Sequence, residues 1–227
     1  MKLQKVTSDG DPSEKRWYDD ACGTALGLEL VGERWSLLVV RELMFGPRRF
    51  GEIKANLPGI SANVLTQRLE GLVASGIAAR RKLPSPANVA VYDLTEWGRE
   101  AEVAIRELGR WAARSPRHDP LLFMSPASAM VSLRTLIDRN AASGVAGRFA
   151  FEMPLDRFLA TLDAGDLLIE RGEGAADVTF AGDTMAMRRS LYGKEGFDGD
   201  GLLAVAGDHA LAQRFADLFA LPIKLAA

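Results

Sequence analysis

GPRRFGEIKANLPGISANVLTQRLEGLVASGIAARRKLPSPANVAVYDL, residues Gly46–Leu94, is the stretch on which the fold turns. Its middle, Ser61–Ser75, reads as a helix, because Leu65, Leu69, Leu72 and Val73 recur at helical spacing and put one apolar stripe on a core. Ser61 is placed to cap it by accepting from a first-turn N–H, and Gly76 to end it. The capping box is incomplete, since Val64 stands where a Glu or Gln would reach back. At 100° per residue, Asn63 and Gln67 lie opposite the stripe; Thr66 borders them and Arg68 falls on the other flank.

Working outward, Arg49–Leu57 reads as a second short helix joined through the turn Leu57-Pro58-Gly59. Two short helices across a glycine-containing turn form a helix-turn-helix, whose second helix enters the major groove of DNA. Ala78–Leu83 and Val89–Leu94 then read as two strands around a Pro-rich tip, a hairpin wing. Seven basic residues lie between Arg48 and Lys82 (Arg48, Arg49, Lys54, Arg68, Arg80, Arg81 and Lys82), against Glu52 and Glu70 alone. That basic cluster sits in a chain of net charge −2, and it is the electrostatic footprint expected beside a groove-reading helix. Charge alone would equally suit a solvated helical hairpin. The order helix, turn, helix, wing decides for DNA.

The runs Gly32-Glu33-Arg34-Trp35, Arg49-Phe50-Gly51-Glu52-Ile53, Pro58-Gly59-Ile60-Ser61, Leu65-Thr66-Gln67-Arg68-Leu69 and Tyr92-Asp93-Leu94-Thr95-Glu96-Trp97-Gly98 closely resemble the HxlR-type winged-helix transcriptional regulators. The resemblance spans Trp17–Arg114, about half of the chain, and departs at Gly23, where that family usually carries a proline after its cysteine. It implies double-stranded DNA as a partner and a homodimer built by the first and last helices of the domain. Phosphate contacts are then expected from Arg48, Arg49, Arg80, Arg81 and Lys82, and base-edge contacts from Asn63, Thr66 and Gln67; Arg68 suits either, and Ser61 belongs to the same face.

Upstream, Trp17–Val31 reads as a helix opened by Asp19 and Asp20, and Arg34–Phe45 as a mostly buried one. Downstream, Thr95 caps a long helix whose stripe holds Trp97, Ala101, Ile105, Leu108 and Trp111-Ala112. This helix suits a dimer interface, since symmetric half-sites require a dimer. Cys22 carries two readings. One is a small buried apolar residue. The other is a thiol sensor, since some proteins resembling this sequence respond to oxidants or electrophiles through a cysteine near this position. Against it, Asp19 and Asp20 should raise the thiol pKa, and no basic residue flanks it closely.

The run Ser115–Pro126, with its prolines, breaks the helical period and contains the linker. The chain thus divides into a tail at 1–15 expected to be disordered, a winged-helix domain at 16–117, a linker at 118–125 and a second domain at 126–227. The first 117 residues carry 18 basic and 15 acidic side chains, the remainder 10 and 15, so a basic half joins an acidic one. Pro126–Ala142 reads as a helix, and from Gly147 the apolar period becomes two. Val178–Asp183 and Leu203–Asp208 each read as a strand ending in Gly, followed by an Asp that caps the next helix.

With the segment Ala212–Phe219, those two units resemble the sterol-carrier-protein-like domains. The resemblance implies a twisted sheet covered by helices around an apolar tunnel, lined here by Phe149, Phe151, Phe180, Met185, Met187, Leu191, Phe215 and Phe219. Each of these also suits the core of so small a domain. The fold class expected is therefore α+β: a winged helix-turn-helix with flanking dimerisation helices, then a sterol-carrier-like sheet and helices.

One cysteine excludes an intrachain disulfide and a cysteine-based metal cluster, and His118 and His209 stand far apart, so neither metal nor cofactor is expected. No apolar run reaches the length of a membrane span, and the first residues lack a signal-peptide core, so a cytoplasmic protein is expected. No nucleophile–base pair or phosphate loop points to catalysis. The function expected is a dimeric DNA-binding regulator whose C-terminal domain binds an apolar fatty-acyl or sterol-like effector or supports assembly. The alternatives are a regulator sensing through Cys22, and a lipid carrier whose N-terminal half is an interaction domain.

Overall fold

Helices appear where the apolar period is 3–4 and strands where it is two, in the order read from the sequence. The structure is a computed structural model and describes residues 18–84, 86 and 88–225; the expected tail at 1–15 and Trp17 lie outside the described residues. The first half contains α1 (Gly23–Val31), α2 (Ser36–Leu43), α3 (Phe50–Ala55), α4 (Ala62–Ala74), the antiparallel pair β1 (Ala78–Lys82) and β2 (Ala90–Leu94), α5 (Glu96–Glu100) and α6 (Glu102–Ala112). Ser61 caps α4 by accepting from the Val64 N–H at 3.2 Å, as its position promised. Gly59, at φ +93°, turns the chain between α3 and α4, a conformation few other residues adopt without strain. Leu65, Leu69 and Leu72 are fully or almost fully buried, so the leucines of the stripe face the core, while Val73, read with them, is exposed.

Three helices differ from their expected form. The first, α1, starts at Gly23 with Cys22 as its N-cap, so Asp19 and Asp20 precede the helix rather than open it. The long helix after Thr95 is broken at Ala101 into α5 and α6. The helix expected over Pro126–Ala142 ends at Leu136 in α7 (Pro126–Leu136). Ile137 is extended and bridges Phe219, and Asp138 then caps the short α8 (Arg139–Ala142) through the Asn140 and Ala141 N–H groups. A backbone pairing at Ile137 outcompetes the helix, which a helical period alone does not reveal.

The second half is one five-stranded sheet: β3 (Gly147–Met153), β4 (Asp156–Asp163), β5 (Asp166–Arg171), β6 (Val178–Ala181) and β7 (Ala204–Gly207). Its order is β5-β4-β3-β6-β7, with β3 and β6 parallel and every other pair antiparallel. Between β6 and β7 run α9 (Thr184–Met187) and a π-helical turn at Arg188–Tyr192, and α10 (His209–Asp217) follows β7. Asp183 and Asp208 cap α9 and α10, accepting from the Ala186 and Leu211 N–H groups at 2.8 and 2.9 Å.

Phe149, Phe151, Phe180, Phe215 and Phe219 pack ring against ring with centroids 4.0–6.4 Å apart and are 0–1 % exposed. They fill the space between sheet and helices. Buried residues of the two halves form a continuous cluster, with α7 of the second half lying against α2 and α6 of the first. Among the described residues, no helix is long and apolar enough to cross a membrane.

Candidate nucleic-acid interface

The outward face of α4 is built by default: once its leucines are buried, Asn63, Thr66 and Gln67 project to solvent, and all three are exposed. None of the three side chains makes a hydrogen bond within the described residues, so their donors and acceptors are free for base edges. The Ser61 hydroxyl is spent on its cap. Arg68 is held differently. Its Nε donates to the Arg34 carbonyl at 3.1 Å and its guanidinium pairs with Glu33 at 3.0 Å, which ties α4 to the turn before α2.

The wing supplies the positive charge. Arg80 and Lys82 are exposed, belong to the same strand face, and pair across the hairpin with Tyr92 and Ala90. Arg81 lies on the other face and reaches Asp93 at 3.5 Å. Asp93 is buried and also takes Arg99 at 2.7 Å, so Arg81 is partly committed to the base of the wing. That base is pinned by Thr95, whose hydroxyl donates to the Gly76 carbonyl at 2.7 Å. Gly98 is required there, because a Cβ at that position would stand 2.0 Å from the Ile77 carbonyl oxygen. Much of the motif Tyr92–Gly98 therefore aims and holds the hairpin.

Arg49 is exposed at the start of α3, and Lys54 is exposed in the same helix. Arg48 corrects its expectation. It is 7 % exposed and turned inward, pairing with Asp156 of the second half and bridging Tyr92 by its backbone. Asp156 also holds Arg171 at 2.9 Å, and Arg171 donates onward to the Phe45 carbonyl at 3.0 Å. Burial, followed by the nearby Arg48 charge, lowers the Arg171 pKa. Beside this network, Glu42 is fully buried, salt-bridged to Arg41 at 2.9 Å, and accepts from the Ser125 hydroxyl at 2.7 Å. Sequence reasoning missed this cross-half network. Adjacent arginines in a basic stretch give no signal that one of them faces inward.

Cys22 overturns a second expectation. It is exposed rather than buried, at the N-cap of α1. The Thr24 backbone N–H first, then the Thr24 hydroxyl and the Ala25 N–H, draw its pKa below the ordinary thiol value, opposite to the direction expected from Asp19 and Asp20. These first-turn N–H groups and the Thr24 hydroxyl favour the thiolate over the thiol. Asp20 is turned instead to the Cys22 backbone N–H, which it accepts at 2.9 Å.

Seven of the eight residues expected to line a tunnel are core: Phe149, Phe151, Phe180, Met187, Leu191, Phe215 and Phe219 are buried against one another and their neighbours. Met185 is 41 % exposed and touches Arg188 through its sulfur. An apolar cavity lies elsewhere, between the two halves, and none of the eight lines it. Among the described residues, no group of three His, Cys, Asp or Glu side chains is placed to hold a metal.

This arrangement is that of a winged helix-turn-helix, and comparison with known proteins agrees. Residues 30–119 match the HxlR-like helix-turn-helix family. An uncharacterized HTH-type transcriptional regulator of Mycobacterium tuberculosis, Rv3095, is 45% identical over 96 residues, which are 42% of this chain and 59% of that relative. The HTH-type transcriptional regulator YodB of Bacillus subtilis is 39% identical over 83 residues, 37% of this chain and 74% of YodB. The reduced form of YodB, as a solved structure, is 34% identical with a TM-score of 0.39, covering 43% of this chain and 98% of that one. The chain belongs to the HxlR-like helix-turn-helix family. Its first half is the part that matches these HTH-type transcriptional regulators. The match spans only 59% of the mycobacterial relatives' length, and the β-sheet half lies beyond it.

Proposed function

We propose that this protein is a dimeric transcriptional regulator in which α4 reads base edges and the wing follows phosphates. The observation that carries the reading is the outward face of α4, where Asn63, Thr66 and Gln67 stand free beside the exposed cations Arg80 and Lys82. Arg49 and Lys54 extend the positive surface. Arg68 acts by fixing α4 against Glu33 and Arg34, and Arg48 by fixing the second half; neither is a primary contact. The dimer is supported by apolar side chains left exposed on α1 (Leu26, Leu28), on α5 (Trp97) and on α6 (Val103, Leu108, Trp111), the helices that flank the DNA-binding module.

In the same reading, residues 16–117 are the DNA-binding unit and 126–227 a sterol-carrier-like unit that carries an apolar effector. The sheet order and the helices packed on it support that assignment. Salt-dependent binding to duplex DNA, read by fluorescence anisotropy, tests the phosphate role of the wing. Arg80→Ala should flatten the slope of log K against log[salt] by about one and weaken all sequences alike. A slope equal to that of the parent removes the wing from the interface.

A second reading has an observation of its own. Cys22 is exposed at the α1 N-terminus with a lowered pKa, the setting of a reactive thiol, and α1 belongs to the proposed dimer surface. Covalent modification there would act on the dimer before it reached α4.

A further inference from the structure

A cavity of about 290 Å³ lies between the two halves. Its apolar walls include Leu38 of α2, Ile105 and Leu108 of α6, Val131 of α7, and Leu221 near the end of the chain. Arg188, at the start of the π-helical turn, also lines it. Arg188 is 6 % exposed, and among the described residues it forms an ion pair with no carboxylate. One end of its guanidinium donates to the Leu122 carbonyl at 3.0 Å, another contacts the Met185 sulfur, and Nε has no hydrogen-bond partner.

A guanidinium stays charged at any physiological pH. Buried beside an apolar space without a carboxylate partner among the described residues, it carries a desolvation cost that the Leu122 carbonyl offsets only in part. Buried Arg48 and the half-buried arginines beside it are treated differently: Arg48 and Arg171 share Asp156, and Arg41, which also borders the cavity, has Glu42. Tyr192 adds a neutral polar tip, its hydroxyl already bonded to Ser132 at 2.7 Å and its ionisation pushed up by burial.

We propose that this interdomain cavity is the effector site, and that it takes a small apolar monocarboxylate whose carboxylate pairs with Arg188 and whose hydrocarbon body lies against α6 and α7. The assignment deepens the effector reading given above and rests on it for its regulatory meaning, though occupancy itself needs no DNA. An Arg–carboxylate pair can be bidentate, and the edge of Arg188 formed by its free Nε and the nitrogen now against the Met185 sulfur is the one that can offer it. Leu122 belongs to the connection that follows α6, the helix proposed for the dimer. Engaging Arg188 therefore loads the side chain that holds that connection while filling the space beside α6. This is the differential contact that an effector needs in order to shift affinity for DNA.

The test is isothermal titration calorimetry of the full chain with decanoate and with decanol, which share a hydrocarbon body and differ in charge. Decanoate should bind at least about tenfold tighter, the scale of a buried hydrogen-bonded charge, and Arg188→Met should abolish that preference. Ala112→Trp, a replacement at an exposed α6 position that borders the cavity, keeps the arginine but takes the room, and should weaken both probes. It decides the matter should Arg188→Met fail to fold. Equal affinity for the two probes, or a preference that survives Arg188→Met, overturns the anion role. Binding that Ala112→Trp leaves intact, or no binding of either probe, overturns the site. Saturable, Arg188-dependent binding that leaves DNA affinity unmoved upholds the site and overturns the effector reading on which its regulation rests.

Discussion

A side chain's role here depends on whether its polar atoms are already satisfied inside the protein. Gln67 is exposed on α4 and free, and a glutamine can pair bidentately with adenine in the major groove. Gln67→Ala should therefore relax preference at one base pair of each half-site, by about 1–3 kcal/mol, and leave thermal unfolding unchanged. Identical preference profiles for parent and variant would remove Gln67 from the readers. Cys22 makes the opposite case for reading local sequence charge with care. Asp19 and Asp20 adjoin it in sequence, yet the open N–H groups at the start of α1 set its pKa direction. A lowered pKa means that thiolate persists to lower pH. The rate of iodoacetamide alkylation should rise with pH to a midpoint below that of an unstructured cysteine peptide titrated alongside. A midpoint at or above that value would contradict the geometry.

Elements were legible where one periodic signal ruled and poorly legible where a distant partner did. The leucines of α4, the Ser61 cap and the Asp183 and Asp208 caps follow from spacing and short-range chemistry. The break at Ile137 comes from pairing with Phe219, more than eighty residues away in the chain, and no local pattern encodes it. Arg48 shows the same limit at the foot of the wing. Sequence counts it as one more cation, but the fold brings Asp156 from β4 to meet it, with Arg171 on the other side. Removing that carboxylate strands two largely desolvated guanidinium groups where the halves meet. Asp156→Ala should cost about 3–5 kcal/mol of unfolding free energy in a denaturant titration. A loss within the ordinary range of a surface substitution, about 0.5 kcal/mol, would show that the pair adds nothing to the joint.

On the scale of the whole molecule, the family signal covers residues 30–119 and the β-sheet half carries none of it. Sequence reasoning found strands and helix caps of the second half from its repeated strand-and-cap units. It misplaced the ligand residues, because eight apolar side chains on alternating strands and helices describe a packed core as well as a tunnel wall. The apolar cavity between the halves depends on how α2, α6 and α7 come together, which belongs to neither half alone. The central claim concerns what the assembled protein reads. Two recognition helices related by a two-fold axis must address half-sites one helical turn of DNA apart, about 34 Å, or a multiple of it. Selection of bound duplexes from a randomised pool by the full chain, followed by sequencing, measures this directly. The account predicts an enriched inverted repeat with that half-site spacing, and its loss from the pool selected by an Asn63→Ala, Gln67→Ala double variant. A pool with no enriched sequence, or one in which the double variant selects the same repeat, would contradict it.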